Sequence, residues 1–485
     1  MRTKTITIGG VSVRAISGTH VVFLAFDLSP VARRGCLGFA IKRHDKIEGE
    51  VYWLDGYKTF EGVGEVPGPG VRVSTLRHPV QGFQWADYTA KPGYDYEYEV
   101  ITMYGKPAAL TQGTAVKVAV TTEKADVGTH QVHFNRGAVA SQEYARRFQN
   151  TKPSKVEDGS AYRWLGRGLE EALVSFVGRA KGKGYSLRAA VYEFQWAPVL
   201  DAFAAAANRG ADVQIIYDAI PKKNGPAKKN VNAIKKAGLT AKCIKRTRGT
   251  IMHNKFIVLL KEHNPIAVWT GSTNITENGI FGHLNVGHTV NLPAVAKRYF
   301  EYWTFLSKDP TTVELKDWAD KHDELPVPDS AAAEGTKVIF SPHRGLKALE
   351  WVGSLARRNL PVFITLAFGM NKVLQEVYRQ NDEILRVALL EKPGNGSGMA
   401  QGRIDIQAIR NRPNVLVAMG HYVMANKFDR WLREIDRIKG QVNVRWVHTK
   451  FLLVDPLGTD PVVVTGSANF SDASTHTNDE NMLIV

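Results

Sequence analysis

Cysteine is scarce in this chain. Only Cys36 and Cys243 occur among 485 residues, and they lie far apart. There is no CxxC pair and no Cys/His cluster, which excludes a disulfide framework and the common zinc modules; two buried thiols are expected instead. Long apolar runs are also missing. No uninterrupted apolar stretch reaches the roughly 18 residues of a membrane-spanning helix. The opening residues, MRTKTITIGGVSVR, contain no continuous apolar segment. A secretory signal is therefore not expected, and a cytoplasmic location is, although export without a signal fits the same residues.

What remains is the balance of a globular protein, 44% hydrophobic and 23% charged residues. The length is too great for one ordinary core, so two or three domains are expected. The net charge is +16 and is unevenly distributed. Residues 151–250 hold 19 Lys/Arg against 8 Asp/Glu. The clusters are Lys181/Lys183, Lys222/Lys223, Lys228/Lys229, Lys235/Lys236 and the stretch from Lys242 to Arg248. Such a surface attracts polyanions, either nucleic acid or an anionic membrane face, or serves as a solvated basic surface.

Residues 1–125 read as β-structure. Short runs such as VSVRAIS, HVVFLAFDL, LGFAIKRHD and AVKVAVTTE alternate with turn signals. After the turn at Lys91-Pro92-Gly93, the alternation of Tyr94, Tyr96, Tyr98 and Val100 puts these side chains on one face of a strand and the intervening acids on the other. An immunoglobulin- or fibronectin-like sandwich with a structural or adaptor role is expected. From about residue 160 the pattern changes. Helical spacing of Leu165, Leu169, Leu173, Phe176 and Val177 precedes alternating strands (SLRAAVYEF, ADVQIIYDA) and helices (PVLDAFAAAANRG, KNVNAIKKAGL). That alternation predicts α/β layers around a mostly parallel sheet. Residues 311–335, acidic with Pro and Ala towards the end, read as a linker between a first α/β half (126–310) and a second (336–485). In the second half LPVFITLAF, ILRVALLEK and NVLVAMG read as strands, GNGSG as a turn, and NKVLQEVYRQN and NKFDRWLREIDRIKG as helices.

The strongest organising signal is an internal repeat. The segment His253-Asn-Lys255 is followed by an apolar strand and Gly271-Ser272-Thr-Asn274; the segment His448-Thr-Lys450 is followed by another and by Gly466-Ser467-Ala-Asn469. The offset is 195 at all five matched polar or glycine positions. In extended chain, residues two apart share a face, so each histidine lies beside its lysine. Two such sets facing each other would offer imidazoles for nucleophilic and acid/base steps, and fixed donors for anionic oxygens. The lysines supply positive charge, so no metal or other cofactor is expected, and no carboxylate cluster suited to one accompanies the motif.

HxK, four residues, Asp, then GSxN resembles the signature of the phospholipase D superfamily. His448, Lys450, Asp455, Gly466, Ser467 and Asn469 match it fully; in the first copy the Asp position is Leu260, a departure that tyrosyl-DNA phosphodiesterases share. The resemblance covers about 160–485. It implies a pseudo-twofold, duplicated α/β sandwich with one active site between the halves, a covalent phosphohistidine intermediate and no cofactor. It also implies that one histidine attacks and the other serves as general acid and base, while Lys255, Lys450, Ser272, Asn274, Ser467 and Asn469 hold the phosphate. An acidic residue about thirty positions past a motif histidine commonly supports that imidazole in the family. Glu480 lies 32 after His448, and Asn285 lies 32 after His253. On this reading Glu480 and Asp455 support His448, and His253 has a neutral partner. Family habit nevertheless names the N-terminal histidine as nucleophile. His283 and His288 read as incidental loop histidines.

The substrate stays open between a phospholipid head group, narrowly favoured, and a nucleic acid. A non-catalytic nucleic-acid or partner-binding protein is the third alternative. FGHLN (281–285) and WAPVL (196–200) are candidate apolar loops for a lipid surface, or core. Tyr192, Phe194 and Trp196 are candidate base-stacking residues, or core.

Overall fold

The computed structural model describes residues 1–64, 71–137, 141–323, 325, 335–394, 398–420, 435–436, 441–442 and 446–485. It divides into two compact units, Met1–Val127 and Gly128–Val485.

The first unit is all-β. One four-stranded antiparallel sheet runs Ile6–Ile8, Val11–Ser17, Val22–Leu28, Gln84–Asp87. The other runs Ala109–Thr121, Asp95–Lys106, Gly38–Asp45, Val51–Trp53. Alternation decides what is buried: Tyr96, Tyr98 and Val100 enter one core with Val11, Val13 and Leu24, as their spacing predicts. Glu97, facing the other way, pairs with Lys46 and Lys117. Buried charge beside this core is compensated: Arg43 donates to Asp87 at 2.7 Å, and the Tyr98 hydroxyl donates to the same carboxylate at 2.8 Å.

The second unit contains two seven-stranded sheets of identical strand order. Across the first sheet the strands are His130–Phe134, Val286–Val290, Asn264–Gly271, Lys255–Lys261, Tyr185–Val191, Asp212–Asp218 and Cys243–Arg246. Across the second they are Lys337–Ser341, Glu480–Ile484, Val462–Gly466, Phe451–Val454, Val362–Leu366, Arg386–Leu390 and Val415–Met419. The duplication read from the motifs thus extends to whole sheets.

The mostly parallel sheet expected from the sequence is corrected. Only the last three strands of each sheet run parallel, and every other pairing is antiparallel. In the first half the cause is local. Glu262 and His263 both take positive φ, 48° and 67°, and close a two-residue hairpin directly after the strand that carries Lys255. The helical run from Leu165 is also interrupted. Arg167 and Gly168 are left-handed, which separates helix Ser160–Gly166 from Leu169–Gly178, yet Leu165, Leu169, Leu173, Phe176 and Val177 all reach the same core. Within the expected linker, Thr311 caps a helix over Thr312–His322 through a reciprocal bond with Glu314, while 326–334 lie outside the described residues. Of the helix expected over 426–440 only Ile435–Asp436 is described, and it pairs as a short strand with Gln441–Val442. The expected turn GNGSG lies outside the described residues over 395–397.

The halves meet through backbone as well as side chains. Met252 bridges Asp479 and Leu284 bridges Val447, both parallel, and the two bridges are equivalent under the 195-residue repeat. Beside the first, Arg246 donates to Asp479 at 2.8 Å and to Asp309 at 2.7 Å, with Arg246 and Asp479 both fully buried. A buried ion pair is costly to break from one side only. Arg246→Met is therefore expected to destabilise the protein by about 3–5 kcal/mol in urea unfolding, because it leaves Asp479 unpaired. Arg246→Met combined with Asp479→Leu should recover much of that loss. A double variant no more stable than the single one would show that the stranded charge is not the cause.

Candidate active site

Each motif histidine sits one residue beyond an inter-half bridge and just before a strand that begins at Lys255 in the first half and directly after Lys450 in the second. His253 follows Met252, and its amide donates to the Asp479 carbonyl at 3.0 Å. His448 follows Val447, and its amide donates to the Leu284 carbonyl at 3.2 Å. The bridges bring the rings to face each other with centroids 6.5 Å apart.

The bridges also decide which partner each ring receives, and here the sequence expectation is reversed. His253 Nδ1 lies 2.8 Å from Glu480 Oε2, and His448 Nδ1 lies 2.9 Å from Asn285 Oδ1. Glu480 therefore supports His253, not His448, and Asn285 supports His448. The reason is geometric: a residue one place past Asp479 lies beside the residue one place past Met252, which belongs to the other half. Both partners accept, so both rings carry hydrogen on Nδ1 and present the Nε2 lone pair. The orientation of Asn285 follows from its other bonds, since its Nδ2 donates to the Gly279 carbonyl at 2.7 Å while Ser272 Oγ donates to Oδ1 at 2.8 Å. Burial lowers the His253 pKa to about 4, against the raising influence of Glu480. Burial lowers His448 well below the ordinary histidine value, and Lys450, His283, Lys255 and His253 push it in the same direction.

Lys255 and Lys450 are both buried in the site. Lys255 Nζ donates to the His253 carbonyl at 2.6 Å and lies 5.2 Å from the centre of the Tyr192 ring. The motif glycines serve close approach. At Gly271, φ 140°, a Cβ would lie 2.3 Å from the Val286 carbonyl oxygen; at Gly466, φ 137°, one would lie 2.4 Å from that of Asn481. The serines differ from expectation. Ser272 Oγ accepts from the Val286 amide and donates to Asn285, and Ser467 Oγ accepts from the Asn481 amide and from Asn481 Nδ2. Both are fully buried, and these bonds tie the serines to the imidazole partner Asn285 and to Asn481, the neighbour of Glu480. Asn274 donates from Nδ2 to Glu193 at 2.6 Å, while Asn469 lines the cleft.

Asp455 is not at the site. It lies on the turn after strand Phe451–Val454, about 17 Å of extended chain beyond Lys450. Its counterpart Leu260 is still within a strand and packs in a core with Phe256 and Tyr299. The missing Asp thus reflects where the hairpin turns and leaves the histidines untouched.

The rings open onto a cleft of about 670 Å³. Tyr192, Thr250, Ile251 and His253 line it from the first half, and Phe368–Asn371, Gly402, Asp405, His448, Asn469 and Asp472 are among those that line it from the second. Among the described residues no group of three His, Cys, Asp or Glu could hold a metal ion, and no helix is long and apolar enough to cross a membrane. Tyr192 belongs to the site, whereas Phe194 is core and Trp196 packs on Phe281 and donates to Glu170. Of the two loops considered for a lipid surface, FGHLN is buried except at half-buried Leu284, whereas WAPVL is mixed, with Val199 and Leu200 buried and Ala197 and Pro198 exposed. His283, set aside from sequence, stands 5.7 Å from His448, while His288 pairs with His130 on neighbouring strands. Nothing in sequence marked Glu193 or Arg246 for the site, because chain pairing alone brings them here.

A family model described as cardiolipin synthase, PLD-like domain matches residues 173–303 and 399–485. No curated protein sequence matches the chain. Among solved structures the chain is similar to polyphosphate kinase from Porphyromonas gingivalis, at 11% identity and TM-score 0.43, over 65% of this chain and 43% of that one, and so spans less than half of that enzyme. It is similar to Nuc, a phospholipase D family member from Salmonella typhimurium, at 22% identity and TM-score 0.24, over 36% of this chain and 91% of that one. It is also similar to phosphatidylserine synthase from Haemophilus influenzae, at 12% identity and TM-score 0.46, over 66% and 80%. The two matched segments of the family model each contain one complete motif copy with its partner position, Asn285 or Glu480. By that match and by the duplicated motif, the chain belongs to the phospholipase D superfamily.

Proposed function

We propose that this chain is a phosphodiesterase that hydrolyses a phospholipid head-group ester through a covalent phosphohistidine on His253. The observation that carries this reading is the exchange of partners between halves, which leaves one imidazole against a carboxylate and the other against an amide, across a gap of 6.5 Å between ring centres. At this separation a single phosphate between the rings can be reached by both imidazoles.

His253 is neutral at physiological pH and attacks phosphorus through Nε2. Glu480 holds the ring and stabilises the positive charge it acquires. The N–P bond forms as the bond to the leaving oxygen breaks, and His448 gives that oxygen a proton from Nε2. The anionic phosphate supplies the charge that lets His448 carry this proton. His448 next takes a proton from water; the water oxygen bonds phosphorus and His253 departs. Lys255 and Lys450 hold the non-bridging oxygens, and Asn469 assists from the cleft wall. Asp455 and the two serines support the strands from a distance.

The cleft favours a lipid head group over a polymer. Asp405 and Asp472 are its acidic lining residues, and no Lys or Arg is among the described residues that line it. A nucleic-acid strand continuing past the scissile phosphate would bring further phosphates towards these carboxylates, whereas a neutral or cationic head group would not. A nuclease is the second reading, supported by the basic residues of 151–250.

With bis(p-nitrophenyl) phosphate in EDTA, His448→Ala should accumulate an alkali-stable phosphoenzyme, because its leaving group needs no acid while hydrolysis still needs a base. Peptide mapping should place the label on His253; label on another residue would refute the assignment. The pH profile gives a second check. Because His253 must be neutral to attack, kcat/KM should fall as pH drops through about 4. Glu480→Gln removes a group that raises this pKa, so the acid limb should move to lower pH while kcat falls about ten- to a hundredfold, the scale for losing the outer partner of a functional imidazole. An unmoved limb would mean that His253 does not set it. For substrate class, phosphatidylcholine vesicles containing phosphatidylglycerol and radiolabelled single- and double-stranded DNA are offered in EDTA. Head-group release without DNA cleavage is expected; the reverse pattern would establish the nuclease, and loss of all activity in EDTA would exclude metal-independent chemistry.

A further inference from the structure

We infer that the first half carries a docking face for an anionic lipid surface, built on helix Ala227–Lys236 and the loop before it. This inference rests on the phospholipid reading of the site. Between Asp218 and Glu262 the chain contains no carboxylate. Lys228 and Lys235 are seven residues apart, as are Lys229 and Lys236, so each pair forms a stripe along the helix. Asn230 and Ile234 point the other way into the protein, which leaves both stripes exposed. Lys222 and Lys223 extend the exposed charge through the preceding loop. Among the described residues none of these six lysines forms an ion pair, so the charge is not neutralised within the chain.

The face adjoins the site. Its loop follows Asp218, whose carboxylate accepts the Met252 amide at 2.9 Å, and the next residue is His253. At its other end, the acid-free segment runs into Thr250 and Ile251, which line the cleft. Positive charge therefore lies on the side of the attacking histidine, where the phosphatidyl part of a lipid stays attached after the head group leaves. The carboxylates Asp405 and Asp472 come from the second half, which carries His448, the residue that protonates the departing head group. A membrane presents this one-sided arrangement of charge; a nucleic acid presents phosphates on both sides of the bond to be cut. The segment between Asp218 and Lys255 also contains no Phe, Tyr or Trp, the residues on which single-stranded bases stack. Lysines on a flexible stem are sufficient for a diffuse anionic surface, which needs no bidentate geometry.

The test uses the full chain and the variant Lys228→Glu/Lys229→Glu/Lys235→Glu/Lys236→Glu. Cosedimentation is measured with vesicles of phosphatidylcholine containing phosphatidylglycerol, with vesicles of phosphatidylcholine alone, and with duplex DNA. The wild-type protein should bind the phosphatidylglycerol vesicles and hardly the neutral ones, less tightly as salt rises. The variant should lose about tenfold or more in that affinity. Its hydrolysis of bis(p-nitrophenyl) phosphate should be unchanged, which verifies that it is folded. Equal binding by variant and wild type, or equal binding to neutral and anionic vesicles, would overturn the inference. Tighter binding to DNA than to vesicles, lost in the variant, would reassign the face to nucleic acid. A wild-type protein inert towards the soluble diester would refute the phosphodiesterase reading alone, because the vesicle measurement does not depend on turnover.

Discussion

The site depends on one constraint, the parallel bridging of backbone between the halves at Met252–Asp479 and Leu284–Val447. Each bridge puts a residue at the start of a partner strand, Glu480 or Asn285, beside a histidine of the opposite half. Neither half holds a complete set of groups: the imidazole of one is oriented by the side chain of the other. The Arg246–Asp479 pair lies at the same junction, with its charges compensated inside the protein, and it ties the edge strand of the first sheet to the residue preceding Glu480. Packing of the two sheets and alignment of the two rings are consequently the same event.

Burial then does the electrostatic work. Withdrawn from water, both imidazoles lose affinity for protons, and the two buried lysines reinforce the loss. What distinguishes the rings is the partner on Nδ1. On the proposed mechanism, the carboxylate stabilises a cationic ring that is forming a bond, and the amide orients a ring that must both release and regain a proton. The same burial makes the site a strong receiver for a phosphate anion, because the positive charge already there has little solvent to screen it.

The sequence was informative wherever a property repeats along the chain. Alternation in Tyr96, Tyr98 and Val100 predicted a buried face, and helical spacing from Leu165 to Val177 predicted the core contacts even though Arg167 and Gly168 break the helix. It was less informative about how strands pair. The alternation of strands and helices suggested a mostly parallel sheet, but the tight turn at Glu262-His263 turns the chain back on itself. FGHLN and WAPVL read equally as surface or core, because an apolar run of five carries no periodicity to separate the two. Packing placed FGHLN in the core and split WAPVL, burying Val199 and Leu200 and leaving Ala197 and Pro198 exposed.

The residue types of the site, by contrast, were determined by the sequence alone. The HxK spacing places histidine and lysine on one face because side chains alternate along extended chain, and the glycines of both motif copies are needed because a neighbouring carbonyl occupies the space of a Cβ. The 195-residue offset likewise identifies Asn285 and Glu480 as equivalent positions. Which histidine receives the carboxylate was decided only by tertiary structure. An offset within one chain relates equivalent positions but does not say whether a strand end lies beside its own half or the opposite one. Here the strand ends pair across the pseudo-twofold axis, so Glu480 reaches His253, 227 residues away, instead of His448.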